Sequence, residues 1–593
     1  MKKTKFVSVL TACAMLSGMA VMLPMMPDTA IVAGAYENET YGQLTYINAG
    51  DYIAITDCDE AATEVEIPAE IDGVKVTSIG NNAFKGCSNL TTITIPESVT
   101  RIGYSAFSGC SGLTSINIPD GVTRIDDFTF DGCSSLTSIT IPDGVTSIGD
   151  FAFSGCDSLT TITVSENNAS YTDIDGVLFT KDAATILVYP AGKAEDSYVI
   201  PDGVTNIGDD AFYRCSALTT ITIPDGVTSI GDRAFSGCSG LTSITIPDGV
   251  GNIAYVAFSG CSSLTSITIP DSVRWIGYSA FKDCDSLTTI TVSENNAIYT
   301  DIDGVLFSKD AATILAYPAG KTEDSYVIPD GVTNIGGDAF YRCSALTTIT
   351  IPDGVTSIEN FAFYDCSSLT TINIPDSVTS IGAGAFSDCD SLTTITIPDS
   401  VTSIEASVFF GCSNLTTVTI PNSVTGIGDW AFGGCDSLTT ITIPDSVTRI
   451  GEYAFRDCGA LTAITIQNSD CEIYDSNSTI SDTATIYGYA DSTAQAYAEK
   501  YGRKFEVIGE SPTLPLGNIN GDNSIDATDA ALLLSAAAAG AGGESGLTAE
   551  QIKAADLDGN GSFDASDASL ILMYAAYSGA GGELGITEYL AQL

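Results

Sequence analysis

The sequence predicts a mainly β solenoid of 23-residue repeats, followed by a small all-α module at the C-terminus. Three observations carry this prediction. Cysteines recur at a fixed interval of 23 residues, apolar residues alternate with Thr and Ser inside each interval, and the composition changes after Ile508. A fixed period in this range is typical of stacked supersecondary units, since one unit cannot bury its apolar face alone. The cysteines of the period are Cys87, Cys110, Cys133, Cys156, Cys215, Cys238, Cys261, Cys284, Cys343, Cys366, Cys389, Cys412, Cys435 and Cys458.

One repeat, residues 261–281, shows the expected design. Its first strand should bury Leu264, Ile267 and Ile269, because side chains at alternate positions share one face of a strand. A Pro-Asp pair then turns the chain, and a second short apolar run follows. Gly277 is expected to permit a tight corner, and an Ala-Phe pair to fill the core.

Two inserts of 36 residues interrupt the period, near residues 168–200 and 296–328. The segment 175–193 recurs at 303–321, so the inserts are copies, and each is expected to form a β-hairpin beside the stack. The solenoid should span residues 87–485. A solenoid also needs covered ends, and these are expected at 36–86, which includes the first coil, and at 486–508, with a short helix near Thr493 to Tyr501.

This repeat, with its inserts and its ends, resembles the BspA-like leucine-rich repeats of bacterial surface proteins over about residues 40–510. The resemblance implies a leucine-rich-repeat solenoid that presents a binding surface.

The cysteines of the period are expected to be buried free thiols. Each has an equivalent neighbour on both sides, and parallel-stacked side chains project alongside one another rather than toward one another. Cys58 and Cys471 lie off the period and are the more favourable candidates for a bridge, but they fall at opposite ends of the repeat array. We expect no essential disulfide.

The N-terminus resembles a signal peptide over residues 1–35. Lys2, Lys3 and Lys5 precede an apolar run, and small residues end at Ala35. Cleavage there predicts a secreted protein, extracellular or attached to the cell surface. A lipoprotein signal ending at Cys13 and an uncleaved anchor remain alternatives.

Charge and composition exclude several functions. With 22 Lys and Arg against 74 Asp and Glu, the formal net charge is −52, which disfavours nucleic acid and anionic membranes as partners. The absence of histidine excludes Ser-His-Asp catalysis and His-ligated zinc. A two-carboxylate hydrolase remains conceivable. However, the plentiful Asp residues follow Pro in the same turn of successive repeats, and a catalytic pair would be singular, so we expect no enzyme. Examples are Asp120, Asp143, Asp225 and Asp353.

After a linker at 509–516, residues 517–593 contain two calcium-loop patterns. Alternate oxygen-bearing residues of a tight loop can surround Ca²⁺, which takes six to eight oxygen ligands. The expected ligands of the first loop are Asn518, Asn520, Asp522, Ser524, Asp526 and Asp529. Those of the second are Asp556, Asp558, Asn560, Ser562, Asp564 and Asp567. An Asn at the first position of the first loop removes one carboxylate, so this site should be the weaker.

Each loop leads into an apolar helix, expected at Asp529 to Ala539 and Asp567 to Tyr577. The duplicated loop and helix resemble the dockerin module. This resemblance implies two bound Ca²⁺ ions and, as partner, a cohesin module of a scaffoldin. It also implies a role in cohesin choice for loop positions 10 and 11, unless these are merely helix-start residues. The positions are Ala527, Thr528, Ala565 and Ser566.

One position of the repeat varies on the constant frame, two residues before the core Phe. Neighbouring aromatics there could stack on a sugar or anchor a protein. Packing over the adjacent coil is the alternative, and the favoured one. The candidates for a ligand surface are Phe128, Phe151, Trp430 and Tyr453.

Taken together, the sequence predicts a monomeric, non-catalytic binding or adhesion solenoid for an unknown protein or glycan. A dockerin would attach it to a cellulosome-type polysaccharide-degrading complex. The alternatives are a cellulosomal hydrolase with an unrecognised two-carboxylate site, and a surface adhesin independent of a cellulosome.

Overall fold

A computed structural model describes residues 38–509, 516–520, 524–540, 551, 554–557, 564–579 and 584–591. The predicted signal peptide at 1–35 lies outside the described residues. The chain forms two compact units. One contains the described residues to Cys156 together with Ser165–Ala169, and the other contains Asp157–Val164 and the described residues from Ser170 onward.

Each unit contains a β-solenoid whose coils carry two short strands, one on each side of the Pro-Asp turn. Outside the antiparallel start and the inserts, the strands pair in parallel with their counterparts in the neighbouring coils, 23 residues away, so equivalent residues lie in register. Ser229 and Ile230, for example, pair with Asn252 and Ile253. This arrangement confirms the mainly β solenoid predicted from the period.

In the first unit, the strands of one side are Glu39–Tyr41, Leu44–Asn48, Ile53–Cys58, Glu70–Ile71, Val74–Ile79, Arg101–Ile102, Arg124–Ile125 and Ser147–Ile148. Those of the other side are Glu64–Glu66, Thr92–Thr94, Ser115–Ile116 and Ser138–Ile141. The first three strands are antiparallel, and the parallel stacking begins where Ile53–Cys58 meets Val74–Ile79. This antiparallel start covers the end of the stack.

In the second unit, one side contains Tyr171–Ile174, Val177–Thr180, Thr185–Val188, Asn206–Ile207, Ser229–Ile230, Asn252–Ile253, Trp275–Ile276, Tyr299–Ile302, Val305–Ser308, Thr313–Ala316, Asn334–Ile335, Ser357–Ile358, Ser380–Ile381, Ser403–Ile404, Gly426–Ile427, Arg449–Ile450 and Glu472–Ile473. The remaining strands are Thr161–Val164, Ser197–Val199, Thr220–Thr222, Ser243–Ile244, Ser266–Ile269, Thr289–Val292, Ser325–Val327, Thr348–Thr350, Thr371–Asn373, Thr394–Thr396, Thr417–Thr419, Thr440–Ile443, Ala463–Ile466, Thr485–Gly488 and Phe505–Val507.

The core is a stack of equivalent apolar side chains. From Phe340 to Phe455 the core rings of successive coils lie with centroids 5.0–5.8 Å apart and planes within 21° of each other. Leu264, Ile267 and Ile269 are buried, as expected from the alternation. Aromatic stacking stabilises the core in addition to the burial of apolar area, so the repeated Phe helps to hold successive coils in register.

The corner of each coil differs from the expectation in one respect. Gly277 does not adopt a left-handed backbone. A Cβ there would lie 2.4 Å from the Tyr255 nitrogen, so glycine is required by the close approach of the preceding coil. The left-handed residue is Ser279, with φ of 58°. Equivalent residues of the other coils share this conformation.

The inserts also differ from the expectation of a hairpin beside the stack. Tyr171–Ile174 and Val177–Thr180 do form an antiparallel hairpin. The following strand, Thr185–Val188, then joins the solenoid by parallel pairing with Asn206–Ile207. Tyr189 takes the place of a core Phe and stacks on Phe212 at 5.4 Å. The insert therefore extends the core of the solenoid, because a strand of the next coil pairs with the third strand of the insert.

The sixteen cysteines among the described residues are buried, and they form no disulfide with one another. Burial of the thiols was expected, but their hydrogen bonding was not. Cys389, for example, donates to the Phe363 carbonyl oxygen in the preceding coil at a sulfur–oxygen distance of 3.1 Å. Cys58, which lies outside the 23-residue period, is in contact with Cys87. A hydrogen bond between the two thiols raises the pKa of Cys58, and so does burial.

The segment predicted as the C-terminal cap contains the predicted helix, α1 (Thr493–Tyr501). Ser492 caps its start by accepting a hydrogen bond from the Gln495 nitrogen, and Gly502 ends it with φ of 63°. The buried Tyr497 anchors the helix over the last coil.

The described residues from 516 onward include the helices α2 (Ala527–Gly540), α3 (Ala565–Gly579) and α4 (Ile586–Leu590). The first two pack around a small core that includes Ile519, Leu533 and Ile571. Among the described residues, no helix is long and apolar enough to cross a membrane.

Candidate functional site

The first loop of the C-terminal module closes on Asp529, a fully buried residue of α2. Its Oδ1 accepts hydrogen bonds from the nitrogens of Ile519 and Asn520, at 2.7 and 3.0 Å. Its Oδ2 accepts one from the nitrogen of Asp526 at 3.0 Å. Both ends of the loop are therefore fastened to one carboxylate at the base of the helix.

The second loop repeats this geometry 38 residues later. Asp567, also fully buried, accepts hydrogen bonds from the nitrogens of Leu557 and Asp564, at 2.8 and 2.9 Å. Asp567, Leu557 and Asp564 correspond to Asp529, Ile519 and Asp526 of the first loop. The duplication read from the sequence is therefore a duplication of structure as well.

Asp526 and Asp564 each cap the helix that follows. The nitrogens of Thr528 and Ser566 donate to these carboxylates at 2.8 and 2.7 Å. A side-chain hydrogen bond from Thr528, with the backbone bond, lowers the pKa of Asp526. The backbone hydrogen bond from Ser566 does the same for Asp564. Both carboxylates are thereby held ionised at the helix N-terminus, a role that the sequence argument did not assign to them.

The donor chemistry of the loops fits calcium. The expected ligands carry carboxylate, amide, hydroxyl and carbonyl oxygens, which are the hard donors that Ca²⁺ takes. Asn518 is buried at the start of the first loop, and Asn520, Ser524, Asp556 and the four Asp residues above fall among the described residues. The remaining expected ligands, Asp522, Asp558, Asn560 and Ser562, lie outside them.

The residues expected to meet a cohesin lie exposed at the helix starts. These are Ala527 and Thr528 on α2, and Ala565 and Ser566 on α3. The Thr528 hydroxyl is already used within the loop, since it donates to Asp526 at 2.7 Å and accepts from Asn520 at 3.0 Å.

The helices also expose apolar side chains that the sequence argument missed. Leu534 on α2 and Leu572 on α3 are 43% and 45% exposed, and they occupy equivalent positions of the duplication. Met573 is 45% exposed beside Leu572. The 38-residue spacing could have identified the first pair, because a leucine repeated outside the buried stripe has no packing role to explain it.

The candidate ligand surface of the solenoid is half-buried. The Phe128 and Phe151 rings lie 4.7 Å apart, and those of Trp430 and Tyr453 lie 4.6 Å apart. The Arg456 guanidinium lies over both rings of the second pair, at 5.2 and 4.9 Å from their centroids. These contacts agree with packing over the adjacent coil, and a ligand-binding role remains a prediction.

Comparison with known families identifies the class of protein to which the chain belongs. A family model for the BspA type leucine rich repeat region matches residues 58–182, 193–310, 320–422 and 379–483. The chain belongs to this family of leucine-rich-repeat proteins. The model of the dockerin type I domain matches residues 516–574, so the C-terminal module is a dockerin.

The chain is also similar to several solved structures. It shares 32% identity with a leucine rich cell surface protein from Faecalibacterium prausnitzii, over 75% of this chain and 97% of the other, with a TM-score of 0.35. It shares 21% identity with the pneumococcal vaccine antigen PcpA, over 80% and 99%, with a TM-score of 0.41. A leucine-rich repeat protein from Bacteroides ovatus is 26% identical over 79% and 100%, with a TM-score of 0.29. A search of curated protein sequences found no match.

The two families define a coarse function. A dockerin type I domain binds calcium and implies assembly through a cohesin, and a leucine-rich-repeat solenoid implies a binding surface. Proteins with these domains are typically extracellular or on the cell surface.

Proposed function

We propose that this protein is a secreted, non-catalytic binding component of a cellulosome-type polysaccharide-degrading complex. Its dockerin holds two Ca²⁺ ions through the twelve loop residues named above and docks on a cohesin of a scaffoldin. The solenoid, acting as a monomer, presents a protein or glycan ligand to the complex.

The observation that carries this proposal is the repeated loop closure on Asp529 and Asp567. Each loop gathers carboxylates that repel one another without a cation, and the small core around Ile519 and Leu533 offers little to offset that repulsion. Calcium binding therefore supplies folding free energy to the module.

The duplication further supports docking in two orientations related by about half a turn. The exposed pairs at the two helix starts are nearly identical, and Leu534 and Leu572 repeat with them. A cohesin that recognises one set of these residues meets the same set when the dockerin is reversed.

Calorimetric titration of the full chain tests the calcium sites. We expect about two Ca²⁺ ions per chain, and one when Asp567→Ala removes the buried carboxylate of the stronger site. Binding to a panel of type I cohesins should vanish in EDTA and return with calcium. Asp143→Ala, at an exposed solenoid turn, is the control and should change neither result.

Paired variants in the same cohesin-binding assay test the two docking orientations. Ala527→Asp with Thr528→Asp should leave cohesin binding largely intact, and adding Ala565→Asp with Ser566→Asp should eliminate it. Loss of binding with the first pair alone would refute the two orientations but not the docking. Calcium binding without binding to any cohesin of the panel would contradict docking and favour an adhesin independent of a cellulosome.

A further inference from the structure

A cavity of about 360 Å³ lies in the second unit, where the second insert meets the coils on either side of it. Tyr255, Trp275 and Tyr278 form one wall, and Tyr341 and Asp338 contribute to the other. The three wall aromatics remain 38–50% exposed, so their rings are open to a ligand. The volume is at the lower end of the range of small-molecule sites, about 300–1,000 Å³.

The Tyr278 ring is held across the gap between two coils. Its hydroxyl donates to the Asn360 carbonyl oxygen at 3.1 Å, 82 residues later in the chain. Its face covers Gly337, where a Cβ would lie 2.3 Å from the ring atom Cε2. Trp275 is fixed by Tyr255, with the ring planes at 81° and the centroids 5.0 Å apart. The aromatic wall is therefore preorganised.

Asp338 supplies an unsatisfied acceptor beside this wall. Its Oδ2 accepts a hydrogen bond from the Ser279 hydroxyl. Its Oδ1 is buried and has no hydrogen-bond partner among the described residues. Burial raises the pKa of Asp338, while the positive charge of Lys282 acts in the opposite direction. A buried polar oxygen without a donor is unfavourable, and a ligand hydroxyl would satisfy it.

The first insert provides an internal comparison, since the sequence repeats there with an offset of 128 residues. Asp210 corresponds to Asp338, but its Oδ1 is neutralised by Arg233, whose Nε and Nη2 lie 2.8 and 2.7 Å away. The residue that corresponds to Arg233 is Phe361. The coils that follow the second insert therefore keep the carboxylate and lack the arginine.

The aromatic wall is also found only in the coils that precede the second insert, and not in those that precede the first. Asp127, Ser147 and Asp150 stand at the positions that correspond to Tyr255, Trp275 and Tyr278. The hairpins and their core residues are nearly identical in the two copies. The same fold therefore forms at the first insert without these exposed aromatics, so the fold itself does not require them.

We infer that this cavity is a carbohydrate-binding site, in which a neutral sugar residue donates a hydroxyl to Asp338 Oδ1 and lays its apolar face against Trp275 or Tyr278. Aromatic faces with a few placed polar groups suit this chemistry. Lys282 already supplies a cation to the cavity, with its ammonium 4.2 Å from the Tyr341 centroid, so a neutral ligand fits better than a cationic one. The inference rests on the proposed role of the solenoid as a binding module and names its ligand class.

Calorimetry with the full chain tests the site, using methyl β-glycosides of glucose, xylose, mannose and galactose, and the corresponding cello-, xylo- and manno-tetraoses. We expect at least one of these probes to bind at concentrations up to about 10 mM. Asp338→Asn should weaken that binding at least about tenfold without lowering Tm, because an amide is buried more easily than an unpaired carboxylate. Trp275→Ala should also weaken it, and Phe361→Arg should abolish it by supplying the missing arginine.

The matched control is Asp210→Asn at the first insert. It should lower Tm, because it breaks the pair with Arg233, and leave sugar binding unchanged. The inference is wrong if no probe binds, or if binding survives both Asp338→Asn and Trp275→Ala. It is also wrong if the cavity instead binds spermidine or an oligolysine peptide and Asp338→Asn removes that binding.

Cohesin binding, measured on the same variants, separates this inference from the docking proposal. All variants should bind cohesin as the parent chain does. A chain that binds sugar through Asp338 but binds no cohesin would contradict the docking and leave the sugar site standing.

Discussion

The variable position of each coil has a left-handed backbone whatever its side chain. From Asn82 to Tyr453 the fourteen equivalent residues have φ between 51° and 63°. Val256 shows the reason, since this conformation lets its nitrogen donate to the Tyr278 carbonyl of the next coil at 3.1 Å. The hydrogen bond between coils fixes the left-handed backbone conformation. Any side chain can occupy the position, but a residue other than glycine is strained there. That strain is highest for β-branched and bulky residues.

Val256→Gly should therefore raise the stability of the solenoid by about 1 kcal/mol. Relief of a strained conformation is worth about 1–3 kcal/mol, and the greater freedom of glycine in the unfolded chain offsets part of it. Thermal unfolding followed by circular dichroism measures the change as a rise in Tm. The reciprocal Asn82→Val, at an exposed equivalent position, should lower Tm. A fall in Tm with Val256→Gly would show that packing of the valine outweighs the strain.

The cysteines of the 23-residue period, which stack as a column, link each coil to the preceding coil by hydrogen bonds. From Cys110 onward, these thiols donate to the carbonyl oxygen of the core aromatic in the preceding coil, as Cys110 does to Phe84 at 3.1 Å and Cys458 to Phe432 at 3.1 Å. Serine would form a stronger bond but would bury a more polar group. Cysteine combines the bond with the burial of a small apolar atom, which accounts for its repetition.

Alkaline pH should loosen this column. Burial raises the pKa of Cys458 from near 9 to about 12, so the folded chain holds this proton more tightly than the unfolded chain does. For Cys458 this stabilisation is complete below pH 9 and is lost as the pH rises from 9 to 12, with about 1 kcal/mol lost at pH 10. Tm should be constant between pH 7 and 8 and fall above pH 9. Cys458→Ala should make this fall shallower, and an unchanged slope would show that other groups cause it.

The period, the strand pattern, the Phe core and the C-terminal helix could be predicted from the sequence, because each follows from spacing within one coil. The hydrogen bonds between coils could not, since they depend on which carbonyl faces which thiol. The third strand of the insert was missed because Thr185–Val188 has no repeat signature. The cavity was missed as well, because Tyr278 and Asn360 are 82 residues apart and meet only after the insert has joined the core.

At the scale of the whole molecule, the acidic residues that dominate the charge are distributed by the repeat. Asp120, Asp143, Asp225 and Asp353 are exposed at equivalent turns. A glycosidase needs one carboxyl group with a raised pKa beside a second, at a single place on the surface. Exposed turns repeated along the chain do not provide that arrangement.

The purified protein should therefore release no reducing sugar from cellulose, xylan, mannan or pectin, even where it binds them. Colorimetric detection of reducing ends over a prolonged incubation checks this, with a known hydrolase as positive control. Reproducible release above buffer that persists after repurification would establish an enzyme. Asp338→Asn would then show whether the cavity is the catalytic site.

The duplication of the inserts gives this chain a means of changing its length by recombination. The nine residues from Ile200 to Gly208 recur identically from Ile328 to Gly336. A crossover between these two copies would delete or add 128 residues and leave the new junction in register with the repeat. A shortened product would keep one insert and lose Tyr255, Trp275 and Tyr278 together. Gain or loss of a complete ligand site could thus occur in one genetic step.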